Sequence, residues 1–151
     1  MAENGDPQRE ADGGAGLILV GVDGSETSLR AGAYAAGLAR RQHARLVVLY
    51  VATRSSLTGM APGGAGMAAE AQVESSREIQ RLIVEGAAYY RIHPTFEVRQ
   101  GNPSTEFVRV ADEMRADCVV VGASMHAGHR LIGSLGVKLV HAGKWPVVVV
   151  P

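Results

Sequence analysis

The chain of 151 residues has little cysteine, few aromatic residues and no net charge. A single cysteine excludes a disulfide framework and fits a reducing compartment. Fifteen basic residues balance fifteen acidic ones, whereas domains that bind DNA or RNA usually carry a basic excess, so we expect no nucleic-acid partner. No apolar run approaches the roughly eighteen residues that cross a bilayer, so we expect no membrane span. These absences indicate an ordinary globular protein.

The N-terminal segment, residues 1–16, lacks the basic-then-apolar order of a signal peptide. It is polar, its acidic residues outnumber its single arginine, and we expect it to be a disordered acidic tail. The remaining part, residues 17–151, has the length of one folded domain. We therefore expect a cytoplasmic protein.

Short apolar runs alternate with helical patterns along this folded part. Buried strands are predicted at GLILVGVD, ARLVVLYVA, ADCVVVGA and PVVVV, and PTFEVRQ alternates as an edge strand does. Helices are predicted after Ser25, from about Ala68 to Tyr90, from Pro103 and after Gly133, with a Gly-, Ser- and Pro-rich loop at 53–67. This alternation predicts an α/β fold with a mostly parallel sheet.

The loop after the fourth strand has the composition of an anion site. No acidic residue follows Asp117, and the loop supplies small residues with free backbone N–H groups, namely Gly122, Gly128, Gly133 and Ser134. A glycine-rich loop that opens a helix favours phosphate. Ligands of open α/β sheets lie beyond the carboxyl ends of the strands, where the strand order reverses. If the first and fourth strands are neighbours, Asp23, Gly24 and Ser25 face this loop.

Three more specific chemistries are disfavoured. Ser124 follows a strand as a hydrolase nucleophile does, but no acid follows it in the chain. The glycine spacing up to Gly133 resembles a P-loop that lacks its lysine. His126, His129 and His141 do not make a convincing zinc set, so we expect no metal site. For Asp23, capping of the following helix and binding of a ribose hydroxyl are both open.

The motifs VGVDGS, LVVLYV, RQGNP and DCVVVGAS, followed by GS and PVVVVP, together resemble the universal stress protein family from Leu17 to Pro151. The resemblance implies an open five-stranded parallel sheet in the order 3-2-1-4-5, with helices on both faces. It also implies a homodimer joined through the last strand, Pro146–Val150. An exposed apolar final strand is a natural edge for such pairing.

The resemblance also implies a nucleotide site, because many family members bind ATP. In those members the acid after the first strand contacts the nucleotide, which corresponds to Asp23, and a residue near the end of the second strand lies against adenine, which corresponds to Val51. Their phosphate loop corresponds to Gly122 through Gly133 and Ser134. The candidate ATP-binding residues, with no metal beyond Mg²⁺ carried by the nucleotide, are Asp23, Gly24, Ser25, Val51, Gly122, Ser124, Gly128, Gly133 and Ser134.

The phosphate loop departs from the family motif, G-x2-G-x9-G-[S/T]. Met125 stands where the second glycine belongs, and ten residues separate Gly122 from Gly133, two fewer than in the motif. Methionine disfavours positive φ and occupies space near a phosphate. The expected protein is a dimeric, non-enzymatic stress-response regulator or adaptor with an unknown protein partner and an atypical or vestigial adenine-nucleotide crevice. One alternative is an ATP-binding switch with slow hydrolysis or self-phosphorylation at Ser134 or Ser124. The other is a structural or interaction protein whose crevice is filled by Met125 and neighbouring side chains.

Overall fold

The computed structural model of the chain describes residues 16–53, 64–126, 129–131 and 133–151. The predicted acidic tail therefore lies outside the described residues except for its last residue, Gly16. Most of the predicted 53–67 loop and the candidate site residue Gly128 also lie outside them.

A parallel sheet forms the centre of the described structure. It contains five strands: β1 (Leu17–Gly21), β2 (Arg45–Ala52), β3 (Thr95–Gln100), β4 (Cys118–Gly122) and β7 (Val147–Val150). Two short strands outside this sheet, β5 (Ser124–His126) and β6 (His129–Leu131), lie between β4 and β7 in the chain. The order within the sheet is β3-β2-β1-β4-β7, which confirms the predicted order 3-2-1-4-5. β1 lies in the middle, with Leu19 opposite both Val47 and Val119. The strand order consequently reverses between β1 and β4.

Helices cover both faces of this sheet, as predicted. The helices of the described ranges are α1 (Glu26–Gln42), α2 (Gly64–Tyr90), α3 (Pro103–Glu113) and α4 (Ser134–Ala142). On one face, Ala35 of α1 and Ile79 of α2 are buried with Val20 of β1. On the other face, Phe107 of α3 and Leu139 of α4 are buried against the sheet, and both are at most 1% exposed. The two cores lie on opposite sides of β1 because neighbouring strand residues point to opposite faces.

Side-chain caps fix where α1 and α3 begin. The Ser25 hydroxyl accepts a hydrogen bond from the N–H of Ser28 at 3.3 Å, which caps α1. The Asn102 side chain accepts one from the N–H of Thr105 at 3.1 Å, and Pro103 occupies the first turn of α3. Both caps satisfy backbone N–H groups that a helix leaves without internal partners. The predicted helix starts after Ser25 and at Pro103 are therefore confirmed.

The start of α2 corrects one prediction. This helix begins at Gly64, whereas the sequence predicted a loop through residue 67 and a helix from about Ala68. Glycine is a poor helix former, so the composition of this segment favoured a loop. Extending an existing helix is far easier than nucleating one, and α2 already continues for more than five turns beyond this point. Its first turn therefore includes Gly64 and Gly66.

A short hairpin after β4 was not predicted at all. β5 (Ser124–His126) and β6 (His129–Leu131) pair antiparallel, with Met125 opposite Arg130. The sequence was interpreted as an irregular loop because strands of three residues are too short to show a period of two. The connection of two residues has the length that is commonest in β-hairpins. The shortened loop thus contains regular backbone pairing.

Candidate functional site

A cavity of about 1240 Å³ lies beyond the carboxyl ends of β1, β2 and β4. It occupies the point where the strand order reverses, which is where open α/β sheets bind ligands. Small-molecule sites usually measure about 300–1,000 Å³, so a ligand of nucleotide size fits here. The walls come from the segment after β1, the end of β2, the starts of α1 and α4, and one side of α2 near Ala71 and Ser75.

Most residues of the predicted site line this one cavity. They are Asp23, Ser25, Val51, Gly122, Ser124, Gly133 and Ser134. Gly24 is not part of the lining; its φ of 88° turns the chain from β1 into α1, and a Cβ there would lie 3.4 Å from Ile79 Cδ1. Gly128 is outside the described residues. The two loops that the sequence predicted to face each other therefore do so, and the binding roles of their residues stay a prediction.

Asp23 is held in place by the start of α1. Its backbone N–H donates to the Ser28 hydroxyl at 3.2 Å, and its Oδ1 accepts from the N–H of Ser25 at 2.9 Å. Partial burial works to raise the pKa of this carboxyl, but hydrogen bonds from Ser25 and Ser28 outweigh it and hold the pKa below its ordinary value of 3.8. Asp23 is therefore an ionised acceptor at neutral pH. The residue is also exposed and lines the cavity, so capping does not withdraw it from a ligand.

Close packing alone, with no ligand, explains why glycine is needed at two positions of the loop. A Cβ on Gly122 would lie 2.6 Å from the carbonyl carbon of Thr27 and 2.7 Å from the backbone nitrogen of Ser28. A Cβ on Gly133 would lie 2.9 Å from Ser124 Cβ. These separations are shorter than non-bonded carbon atoms tolerate. The close approach of α1 to β4, and of the start of α4 to Ser124, thus requires glycine at both positions.

The two helix starts at the cavity differ in their charge and capping. α1 has the Ser25 cap and an acidic residue, Glu26, in its first turn. α4 begins after Gly133 with no side-chain cap and no acidic residue in its first turn. Ser134 and the two residues after it line the cavity, so the partial positive charge of this helix end faces the open space. An anion is therefore favoured at the start of α4 rather than at the start of α1.

Several residues of the cavity wall were missed by the sequence interpretation. Glu26 and Arg30 lie on α1 at a spacing of four, which is typical of a surface ion pair and gave no indication of a site. Thr53 follows β2, and Ser75 lies on α2. Ser75 lines the cavity because α2 packs against β2, and no local pattern in the sequence shows that packing.

Within residues 16–53, 64–126, 129–131 and 133–151, no group of three or more His, Cys, Asp or Glu side chains could hold a metal ion. Over the same part of the chain, none of the helices has both the length and the apolar character needed to span a membrane.

Known proteins resemble this chain over nearly all of the described structure. The model of the universal stress protein family matches residues 16–151. Universal stress protein MJ0531 of Methanocaldococcus jannaschii is 28% identical over 136 residues, which cover 88% of this chain and 80% of that relative. Universal stress protein UspA from Lactobacillus plantarum has a TM-score of 0.76 at 23% identity, covering 90% of this chain and 97% of its own. A universal stress protein solved in complex with cAMP has a TM-score of 0.63 at 25% identity, and the match covers 90% of this chain and 96% of that one.

Proposed function

Because this chain belongs to the universal stress protein family, we propose that it is a stress-response regulator or adaptor whose cavity binds an adenine nucleotide. One observation carries the proposal: the cavity of about 1240 Å³ brings Asp23, Val51 and the uncapped start of α4 to a single open space. The family member solved with cAMP, 25% identical to this chain, supports the same class of ligand.

Each part of an adenine nucleotide has a suitable partner in the wall. Val51, half-buried at the end of β2, offers an apolar surface to the base. The ionised carboxylate of Asp23 is an acceptor for ribose hydroxyls. The start of α4 offers backbone N–H groups and a partial positive charge to phosphate. The residues present therefore fit this ligand.

The phosphate side of this site is atypical for the family. Met125, which replaces the second motif glycine, lies in β5 and pairs through the backbone with Arg130. An extended, paired backbone cannot wrap around a phosphate as a glycine-rich loop does. We therefore expect ATP to bind more weakly than it binds to family members with the full motif.

Calorimetric titration of the purified protein with ATP tests the role of Asp23. Asp23→Ala should weaken binding by about tenfold to a hundredfold, because a hydrogen bond to a charged group contributes about 1.5–3 kcal/mol. Asp112→Ala is the matched control, since Asp112 pairs with Lys144 and is not part of the cavity wall. Equal affinities of the two variants would show that Asp23 does not contact the nucleotide.

We propose further that the protein dimerises through β7. This strand lies at one edge of the sheet and consists of four half-buried valines. The carbonyl of Pro146 accepts from the N–H of Val119 in β4, and the carbonyl of Val150 accepts from the N–H of Ala123, directly after β4. The N–H of Val149 therefore points to the open edge. A second copy can pair there by strand addition.

Proline substitution on each edge tests this interface. Val149→Pro should convert a dimer into a monomer in sedimentation equilibrium, because proline removes an edge donor without removing a bond to β4. Val98→Pro is the control on the opposite edge; Gly101 donates to Ala52 of β2, so the N–H of Val98 points outward as well. A wild-type monomer, or a Val149→Pro dimer, would contradict the proposal.

A further inference from the structure

We propose that Arg30 is the residue that recognises the phosphate of the bound nucleotide, exchanging its present partners for the ligand. The proposal rests on the nucleotide-binding function proposed above and specifies how this chain distinguishes a nucleotide from a nucleoside. Among the described residues that line the cavity, Arg30 is the one cationic side chain.

Arg30 lies at the phosphate side of the cavity. Its Nη1 donates to the carbonyl oxygen of Pro151 at 3.4 Å, directly after β7. The neighbouring carbonyl, that of Val150, accepts from the N–H of Ala123 at 2.7 Å. Ala123 is followed by Ser124, which packs against Gly133 at the start of α4. The guanidinium group therefore lies at the carboxyl ends of the strands, as the uncapped start of α4 does.

The present partners of Arg30 are easily exchanged. Nη2 forms an ion pair with Oε1 of Glu26, one turn earlier on α1, and the two side chains are 44% and 80% exposed. Exposed ion pairs of this kind contribute little to stability. The bond to Pro151 is long for an N–H···O hydrogen bond. A phosphate, in contrast, can accept two parallel hydrogen bonds from one guanidinium group, which is a stronger and more specific contact.

The charge of the cavity wall makes this contact decisive. The acidic residues among the described lining are Asp23 and Glu26, and Arg30 is their one counter-charge there. Without Arg30 the charged side chains of the described lining, Asp23 and Glu26, would all be negative and would repel an anionic ligand. Phosphate-bearing ligands should thus depend on Arg30, whereas an uncharged nucleoside should not.

Calorimetric titrations with adenosine, AMP and ATP, without divalent cations, test the proposal. Arg30→Gln should weaken the binding of AMP and of ATP by about tenfold to a hundredfold. It should change the affinity for adenosine by less than about twofold. Arg30→Lys should restore part of the loss, because lysine keeps the charge but not the paired hydrogen bonds. Glu26→Gln should tighten the binding of AMP and of ATP by about two- to fivefold, since it releases Arg30 from its ion pair and removes a negative charge.

Two control variants complete the design. Arg81→Gln breaks two exposed ion pairs on α2, with Glu78 three residues before it and Glu85 four residues after it. Arg81 is not part of the described cavity lining, so this variant should leave all three affinities unchanged. Arg130→Gln tests the arginine of β6, which pairs through its backbone with Met125. A phosphate preference that survives in Arg30→Gln but is lost in Arg130→Gln would overturn the proposal. Equal weakening of adenosine and ATP by Arg30→Gln would also overturn it. If the wild-type protein binds neither adenosine nor any nucleotide, the proposed function fails together with this inference.

Discussion

Replacing Gly122 by alanine should destabilise the fold even in the absence of any ligand. The new Cβ would lie 2.6 Å from the carbonyl carbon of Thr27 and 2.7 Å from the Ser28 nitrogen, both in the first turn of α1. Backbone atoms of a packed helix cannot rotate away as the end of a flexible side chain can. Relief therefore requires α1 to move away from β4.

The size of this effect follows from the distances. Carbon atoms pack best at about 3.5–4.0 Å, so α1 must shift by about 1 Å. Overpacking of a well-filled core typically costs about 1–3 kcal/mol. For a chain of this length, each 1 kcal/mol lowers the melting temperature by about 2–4 °C. We expect Gly122→Ala to lie in this range of destabilisation.

Urea unfolding at one fixed protein concentration measures the difference in the free energy of unfolding. Gly86→Ala is the matched control, because a Cβ there meets nothing within 4 Å and the residue lies inside α2. The free energy of unfolding of Gly86→Ala should be about 1 kcal/mol higher than that of the wild type, since alanine is a better helix former than glycine. The packing argument is refuted if Gly122→Ala is as stable as the wild type, or if both variants are destabilised alike.

Three further predictions concern caps, core and pH. Asn102→Ala should lower the free energy of unfolding by about 1 kcal/mol, since it removes the cap on the N–H of Thr105; an unchanged urea midpoint would contradict this. Leu139→Ala should cost about 2–5 kcal/mol because Leu139 is 0% exposed, whereas Val140→Ala, at 56% exposed, should stay within about 0.5 kcal/mol. Folding lowers the pKa of Asp23 below its ordinary value of 3.8, so its stabilising contribution is present above that value and is lost as the pH falls through the folded value. The stability difference between wild type and Asp23→Asn should therefore be constant from about pH 5 to 8 and shrink below about pH 4.

The sequence predicted the layered part of the fold because its signals are local. Apolar runs mark the buried strands, and Pro103 marks the start of α3 by chemistry that acts within one turn. The strand order came from the family resemblance and is confirmed by the pairing of β1 with both β2 and β4. The hairpin of β5 and β6 was missed because each strand has only three residues.

The site was predicted less completely, since its residues meet through contacts that are distant in sequence. Gly122 was interpreted as a phosphate-loop glycine, but the nearest atoms to its missing side chain belong to Thr27, almost a hundred residues earlier. Arg30 has the spacing from Glu26 of an ordinary surface ion pair, and only the fold places it in the cavity wall. Such close approaches depend on how α1 packs over the sheet, and hydrophobic periodicity does not encode them.

Calorimetric titration of the purified, nucleotide-free protein with ATP, and in parallel with GTP, tests the central claim most directly. The proposed site, in which Val51 would lie against the base and Asp23 at the sugar, predicts saturable binding of ATP in this cavity. Binding of ATP should be tighter than that of GTP, because guanine carries more polar groups than adenine and the apolar surface of Val51 offers them no hydrogen-bond partner. An absence of any heat of binding at millimolar ATP would contradict the claim that this cavity is an adenine-nucleotide site.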